Sequence, residues 1–287
     1  MQIFLSIAVD AIAYGMVLFV ITVGLTVTMG LMRVVNLAHG AFAMVGGYVA
    51  SYAAQQLEMC YAAALVAAVM VTVLLSIPLE RLLFRRVYGA TELNQVLMTI
   101  GIAFVMVGLA NLLFGPTLKT VPLPSALQSP VDLGFRTVAA HRLVVVACGL
   151  LVAAGLWIVA KRTGFGVRLR ASVDNAAMAE ALGVRTGTVY AVAFAGAVGL
   201  AAFGGVIGAQ LLPIEPYYAL RYMVTFLVVV SVGGVGSIPG ALAACLLLGA
   251  IDTTGRYFLP EYGEFFFYLS VIAIVCLFPH GLAGSRR

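Results

Sequence analysis

Gly24 to Tyr48 reads GLTVTMGLMRVVNLAHGAFAMVGGY. The stretch is apolar on both sides, yet Asn36 and His39 stand in its middle. Glycine occupies positions 24, 30, 40, 46 and 47. An amide and an imidazole are costly to leave unpaired in hydrocarbon. Both side chains are therefore expected to face protein or water. The glycines let backbones approach closely, or break the helix where the polar groups sit.

The rest of the chain decides that hydrocarbon is its solvent. Of 287 residues, 63% are hydrophobic and 9% charged, where a soluble domain carries roughly 25% charged residues. The mean hydropathy of +1.11 belongs to a polytopic membrane protein. The net charge of +5 is no nucleic-acid footprint, because the cations lie in short runs between apolar segments. The start, MQIFLSIAVDAIAYG, has no Lys or Arg before its apolar run and no small-residue cleavage pattern. The first helix is expected to stay rather than be removed as a signal peptide. Cys60, Cys148, Cys245 and Cys276 show neither pairing nor metal spacing and read as small core residues.

A membrane helix needs about 20 apolar residues. The apolar runs are Ile7 to Leu31, Asn36 to Ala54, Cys60 to Leu79, Val96 to Phe114, Leu143 to Ala160, Val189 to Leu212, Tyr222 to Val232 with Ala241 to Ile251, and Phe265 to Phe278. The fold class is an all-α membrane protein, one domain over 1–287, with eight or nine crossings. The ambiguity lies at two glycine-broken places, around Asn36 and around Gly233-Gly234-Val235-Gly236. Paired interrupted segments point to the working centre of a transporter, so Asn36, His39, Gly40, Gly233, Gly234 and Gly236 are the candidate pathway or gate residues. Arg81, Arg85 and Arg86, the run Lys161 to Arg185, and Arg286 and Arg287 are expected to be cytoplasmic. The segment 115–140, with four prolines, is then an irregular external loop, and the N-terminus lies outside. Asp10 and Glu58 fall near outer ends and Glu80 near an inner one, all read as interfacial. Glu92 reads as solvated, and Asp252 and Arg256 as a local pair; Asp252 to Glu264 reads as polar connection.

The cytoplasmic loop, about 161–188, contains RLRASVDNAAMAEALGVRTGTVY from Arg168 to Tyr190. Its alanines, Met178 and Leu182 favour a short helix. Asp174 is placed in the first turn, where an anion is favoured, and Gly183 at its end. This is either a solvated surface helix or one that fits a groove on a partner.

His39 reads either as a structural histidine bonded to a neighbouring carbonyl or as part of the pathway; Asn36 reads as helix glue or cargo contact. No ligand spacing suggests a metal, and no Ser/His/Asp or carboxylate pair suggests a catalytic site. The chain has no Gly-x4-Gly-Lys-Ser/Thr, so ATP, if used, binds elsewhere. An ion-gradient transporter would need a buried charge in mid-span. A small-solute channel would use the glycine breaks as pore segments. Both remain alternatives.

The motif Val35-Asn36-Leu37-Ala38-His39-Gly40, with Met44 and Gly46-Gly47-Tyr48, resembles the permease subunits of bacterial branched-chain amino acid ABC importers. That family also includes urea and amide permeases, and the motif is of the shorter of its two permease types. Glu80-Arg81 with Arg85, Thr99-Ile100-Gly101, the run Gly233 to Gly240, and Phe278-Pro279 with Gly281-Leu282 extend the resemblance over nearly the whole chain. Arg86 stands where the family usually has proline. The resemblance implies alternating access in the bacterial inner membrane, with a related longer permease as partner. It implies two cytoplasmic ATPases carrying ATP and Mg, a periplasmic binding protein, and no cofactor in this chain. Arg170, Ala171, Asp174, Ala177, Leu182 and Gly183 resemble the loop that docks on the ATPase. Which solute is carried stays open.

Overall fold

The computed structural model describes residues 2–32, 34–132, 134, 136–279 and 281–283. Arg33, Arg286 and Arg287, three of the expected cytoplasmic cations, lie outside the described residues. Among the described residues thirteen helices follow one another: α1 (Gln2–Met32), α2 (His39–Gln55), α3 (Tyr61–Leu79), α4 (Arg85–Val87), α5 (Glu92–Phe114), α6 (Ser125–Gln128), α7 (Ala140–Arg162), α8 (Gly164–Asp174), α9 (Ala176–Ala181), α10 (Thr186–Ile207), α11 (Tyr218–Gly233), α12 (Ile238–Phe258) and α13 (Gly263–Leu277). A π-helical turn, Glu80–Phe84, joins α3 to α4. Ile3–Gly30, Tyr61–Val87, Glu92–Phe114, Ala140–Arg162, Thr186–Ile207 and Ile238–Phe258 are six helices long and apolar enough to cross a membrane; α11 and α13 are apolar and shorter. This is a polytopic membrane protein.

Four helix starts are capped by side chains that accept from a backbone N–H of the first turn. They are Thr91 on α5, Thr163 on α8, Asn175 on α9 and Ser237 on α12. The segment 115–140 is more ordered than its prolines predict. It holds α6 and a hairpin of β1 (Pro130–Asp132) and β2 (Thr137–Ala139), paired antiparallel with Val131 opposite Val138. Helix α12 runs on through Asp252 to Phe258, past the expected end at Ile251, because Asp252 keeps Arg256 one turn ahead, at 2.9 Å. Helix α10 stops at Ile207, with Gly208 as C-cap, and the expected last residues to Leu212 form turns.

The interior is built from α1, α2, α10, α11 and α12. Helix α1 packs on α12 and α10, and α2 on α10, α3 and α11. Helices α3, α5, α7 and α13 leave long apolar faces uncovered, with Leu112, Leu151 and Leu277 at least 70% exposed, as lipid-facing helices do. Helix α1 meets α12 as α11 meets α2, and α2 meets α3 as α12 meets α13. The cysteines do not form a core set: only Cys245 is buried, while Cys60 and Cys276 are exposed.

Small residues set the spacing of the central helices. A Cβ on Gly24 would lie 2.6 Å from the Ala197 carbonyl oxygen of α10, and one on Gly15 2.8 Å from that of Cys245 on α12. A Cβ on Gly46 would meet Ala202 Cα at 2.6 Å. Forcing side chains into such contacts costs about 1–3 kcal/mol or more. Gly46→Val is therefore expected to reduce the yield of folded, monodisperse protein sharply in gel filtration. Gly101→Ala, where nothing lies within 4 Å, is expected to leave it unchanged. Equal yields for the two variants would contradict this packing.

The two ends of the bundle differ in charge. All four ion pairs among the described residues lie at one end: Arg136 and Arg142 on Asp10, Arg221 on Glu215, and Arg256 on Asp252. The same end carries the bonds of 115–124 to α2 and the α10–α11 turn, from Ser51 and Gln55 to the Thr120 carbonyl and from Gln210 to the Val121 carbonyl. The opposite end gathers Arg81, Arg85, Arg86, Lys161, Arg162, Arg168, Arg170 and Arg185. Glu80, at that end, is buried and paired: it accepts from the Tyr88 hydroxyl at 2.9 Å. Burial first, and then the Glu80 carboxylate, push the Tyr88 hydroxyl above the usual phenol range.

Candidate translocation site and coupling face

Between α1 and α2 the described residues Val34 to Ala38 are not helical. The break sits inside the bundle. His39 Nε2 lies 2.8 Å from the Ile21 carbonyl oxygen, about three turns before the end of α1. A carbonyl only accepts, so Nε2 donates, and the neutral ring keeps a lone pair on Nδ1. The bond anchors the His39 ring to α1.

A non-helical backbone at membrane depth must find partners for its N–H groups. Val35 N–H donates to Gln95 Oε1 at 3.0 Å, and Leu37 N–H to Thr99 Oγ1 at 3.2 Å. The Gln95 amide also donates to the carbonyls of Val87 and Ala90, at 3.2 and 3.3 Å. Gln95 thus ties the break to the α4–α5 connection. Both side chains are buried. Neither was among the candidates, although a signal was present: two polar residues four apart, on one face of an otherwise apolar span.

Asn36 is 1% exposed, and neither its Oδ1 nor its Nδ2 has a hydrogen-bond partner; His39 Nδ1 has none either. Asn36, His39 and Gly40 line one narrow crevice with Leu25, Leu37, Met223, Phe226 and Leu227, too tight to hold a water molecule. Phe226 closes its floor against Gly40, where an added Cβ would lie 3.0 Å from the ring. Met223 and Leu227 are half-buried, so the crevice opens along α11.

The second break lies elsewhere. Gly234 and Gly236 have φ of +90 and +82, left-handed conformations that favour glycine. Gly236 touches Gly30 near the end of α1, and Gly233 packs on Ala241. The Leu282 N–H donates to the Val232 carbonyl at 2.7 Å. Gly233, Gly234 and Gly236 therefore shape a backbone joint at the arginine-rich end, apart from the crevice of Asn36, His39 and Gly40.

At that same end α8 and α9 project from the bundle. Asp174 is not in the first turn of a helix. It ends α8, and Asn175, whose backbone is extended, caps α9 and accepts from the Met178 N–H at 2.9 Å. Gly183, at φ +85, ends α9 as expected. Its N–H bonds the Glu180 carbonyl and that of Val184 the Ala179 carbonyl, both at 2.9 Å, the paired closure of a Schellman end. Ala171, Asp174, Ala177, Leu182 and Gly183 are exposed, and so is Arg170, which donates to the Ala160 carbonyl. Leu182 is 78% and Met178 58% exposed. The face is nonetheless tied to the bundle: Thr186 donates to Glu180, and Tyr190 to the Ser172 carbonyl at 2.6 Å. Tyr190 meets Tyr88 edge to face, with ring centroids 5.9 Å apart. A cleft of about 540 Å3 separates the turn holding Glu80, Arg81 and Arg85 from the residues between Glu180 and Ala191.

The family model described as branched-chain amino acid transport system / permease component matches residues 7–275. The chain belongs to this family. It is a multi-pass permease subunit of an ABC transporter, and its relatives are matched nearly end to end. The high-affinity branched-chain amino acid transport system permease protein LivH of Escherichia coli K12 is 26% identical over 296 residues, 98% of this chain and 96% of the relative. The corresponding permease protein BraD of Pseudomonas aeruginosa is 26% identical over 289 residues, 96% of this chain and 94% of the relative. No solved structure matches the permease.

Proposed function

We propose that the permease carries branched-chain amino acids, or a related small polar solute, inward across a bacterial inner membrane by alternating access. The observation that carries this reading is the family match over 7–275, joined to a helix break that holds unpartnered polar atoms inside the bundle. That these relatives are branched-chain amino acid permeases supports the cargo.

The arginine-rich end, holding α8, α9 and the second break, faces the cytoplasm by the positive-inside rule. The end with the paired arginines and the β1–β2 hairpin faces the periplasm and receives a binding protein. Helices α1, α2, α3, α5, α7, α10, α11, α12 and α13 then alternate as nine crossings, with the N-terminus outside. A second permease, of the longer type, completes the pathway beside α11, where the Asn36 crevice opens. ATP and Mg are held by two cytoplasmic ATPases that dock on α8 and α9. Nucleotide-driven closure there moves the Glu80–Arg85 turn through Tyr190 and Tyr88. Gln95 passes that movement to the break, and the gate follows.

The test is uptake of radiolabelled leucine into proteoliposomes holding the whole complex. Uptake is expected to need both the binding protein and ATP on the ATPase side. Uptake driven by a proton or sodium gradient alone would favour a secondary transporter, and uptake needing neither would favour a channel.

A further inference from the structure

We propose that the cleft between the Glu80–Arg85 turn and the start of α10 holds the phosphate head of an anionic phospholipid. This goes beyond the transport reading and is independent of the cargo.

The cleft has the size and the charge for such a head. Its volume of about 540 Å3 falls within the 300–1,000 Å3 usual for ligand pockets. Arg81 and Arg85 stand on one wall and Arg185 on the other. All four ion pairs among the described residues lie at the far end of the bundle, so among them none of these three arginines is paired. Two carboxylates also line the cleft, and each is already engaged by a hydroxyl: Glu80 accepts from Tyr88, and Glu180 from Thr186. Three guanidiniums against two carboxylates leave a positive excess. The Arg85 head reaches across to the first turn of α10, where a Cβ on Gly187 would lie 3.3 Å from its Nη2. No side chain caps α10, so the partial positive charge of its start adds to that of the arginines. Such a set of guanidinium forks suits a phosphate.

What lies below the cleft names the source of that phosphate. Helices α3 and α10 pack side by side, and Tyr61–Val87 runs as one apolar span into the turn. Residues four apart share a helix face. Ile77 therefore stands below Arg81 and Arg85 on one wall, and Val192 below Thr188 on the other. Ile77 is 39% and Val192 53% exposed, and Gly196, the next on that face of α10, is exposed too. Both walls thus continue into the membrane as uncovered apolar faces. A free phosphate, or an acidic side chain of a docked protein, would use the cleft and leave these faces bare. A phospholipid uses both, with its head among the arginines and its chains along α3 and α10. Basic pockets between spans at the cytoplasmic side hold anionic heads in this way. A head gripped from both walls would tie the end of α9, at Gly183 and Arg185, to the turn of Arg81.

The test uses the full chain in a neutral detergent, alone and assembled with its ATPases. In native mass spectrometry, dioleoylphosphatidylglycerol is expected to bind at least tenfold more tightly than dioleoylphosphatidylcholine, and to stay bound in the assembly. Changing Arg81, Arg85 and Arg185 together to glutamine is expected to abolish that preference. Changing Arg86, Lys161 and Arg168 to glutamine removes as much charge outside the cleft and is expected to leave it within twofold. A second measurement keeps the arginines in place. Thr188→Cys, with Cys60, Cys148 and Cys276 changed to serine, is labelled by a small maleimide. Phosphatidylglycerol is expected to slow labelling several-fold, while phosphatidylcholine and inorganic phosphate are not. Equal loss in both triple variants reduces the effect to diffuse attraction and overturns the site. Slowing by inorganic phosphate as strong as by the lipid makes it a free-anion site, and displacement of the lipid by the ATPases gives the cleft to them. Either result overturns the lipid assignment.

Discussion

Leu182→Asp is expected to abolish uptake while the chain still inserts, folds and elutes as the wild type does. Leu182 is 78% exposed at the tip of α9, so its change removes nothing from the permease's own core. In a partner's groove, burying a leucine is worth about 1.5–3 kcal/mol, and an aspartate there adds the cost of a desolvated charge. Docking of the ATPase is expected to weaken at least ~100-fold, since about 1.4 kcal/mol is a factor of ten. Gly183→Val acts on the same end by another route. A branched side chain at φ +85 is strained and frees the two carbonyls that close α9. Co-purification with the ATPase and leucine uptake are the readouts. Retained co-purification and normal uptake in both variants would remove α9 from the docking surface.

Gln95→Met is expected to lower uptake about tenfold or more without preventing assembly. Methionine fills the same space but gives up one acceptor and two donors. The Val35 N–H loses its only side-chain partner, and the Val87 and Ala90 carbonyls lose theirs. An unsatisfied buried amide costs about 1–3 kcal/mol. If Gln95 passes movement from the α4–α5 connection to the break, ATPase stimulated by the loaded binding protein persists while leucine per ATP falls. If it only stabilises, melting temperature and activity fall together and leucine per ATP is constant. Gln95→Glu, which keeps the acceptor for Val35, is expected to fall between.

The membrane character, the apolar spans, the break at Asn36 and the end of α9 at Gly183 were legible in the sequence, because each depends on the residue's own neighbours. Hydropathy needs no partner, and a left-handed helix end needs a glycine. What escaped depends on distant residues. Asp174 and Asn175 are both good caps, and only the turn between α8 and α9 decides for Asn175. Gln95 looks like the last polar residue of a connection until Val35 is found against it. Gly30 and Gly236 stand two hundred positions apart, and no local pattern announces that they touch. The separation of the two glycine breaks was also beyond it: they read as one paired centre, yet Gly233, Gly234 and Gly236 do not line the crevice of Asn36 and His39.

The glycine seams of α1 constrain how this protein can change over generations. Where main chain rests on main chain, at Gly15, Gly24 and Gly30, there is no side chain whose size could be adjusted. A drift in spacing there cannot be compensated by a neighbouring substitution, only by restoring the original residue. Substitutions at these three glycines are therefore expected to cost more folded protein than substitutions on the exposed faces of α3, α5, α7 and α13.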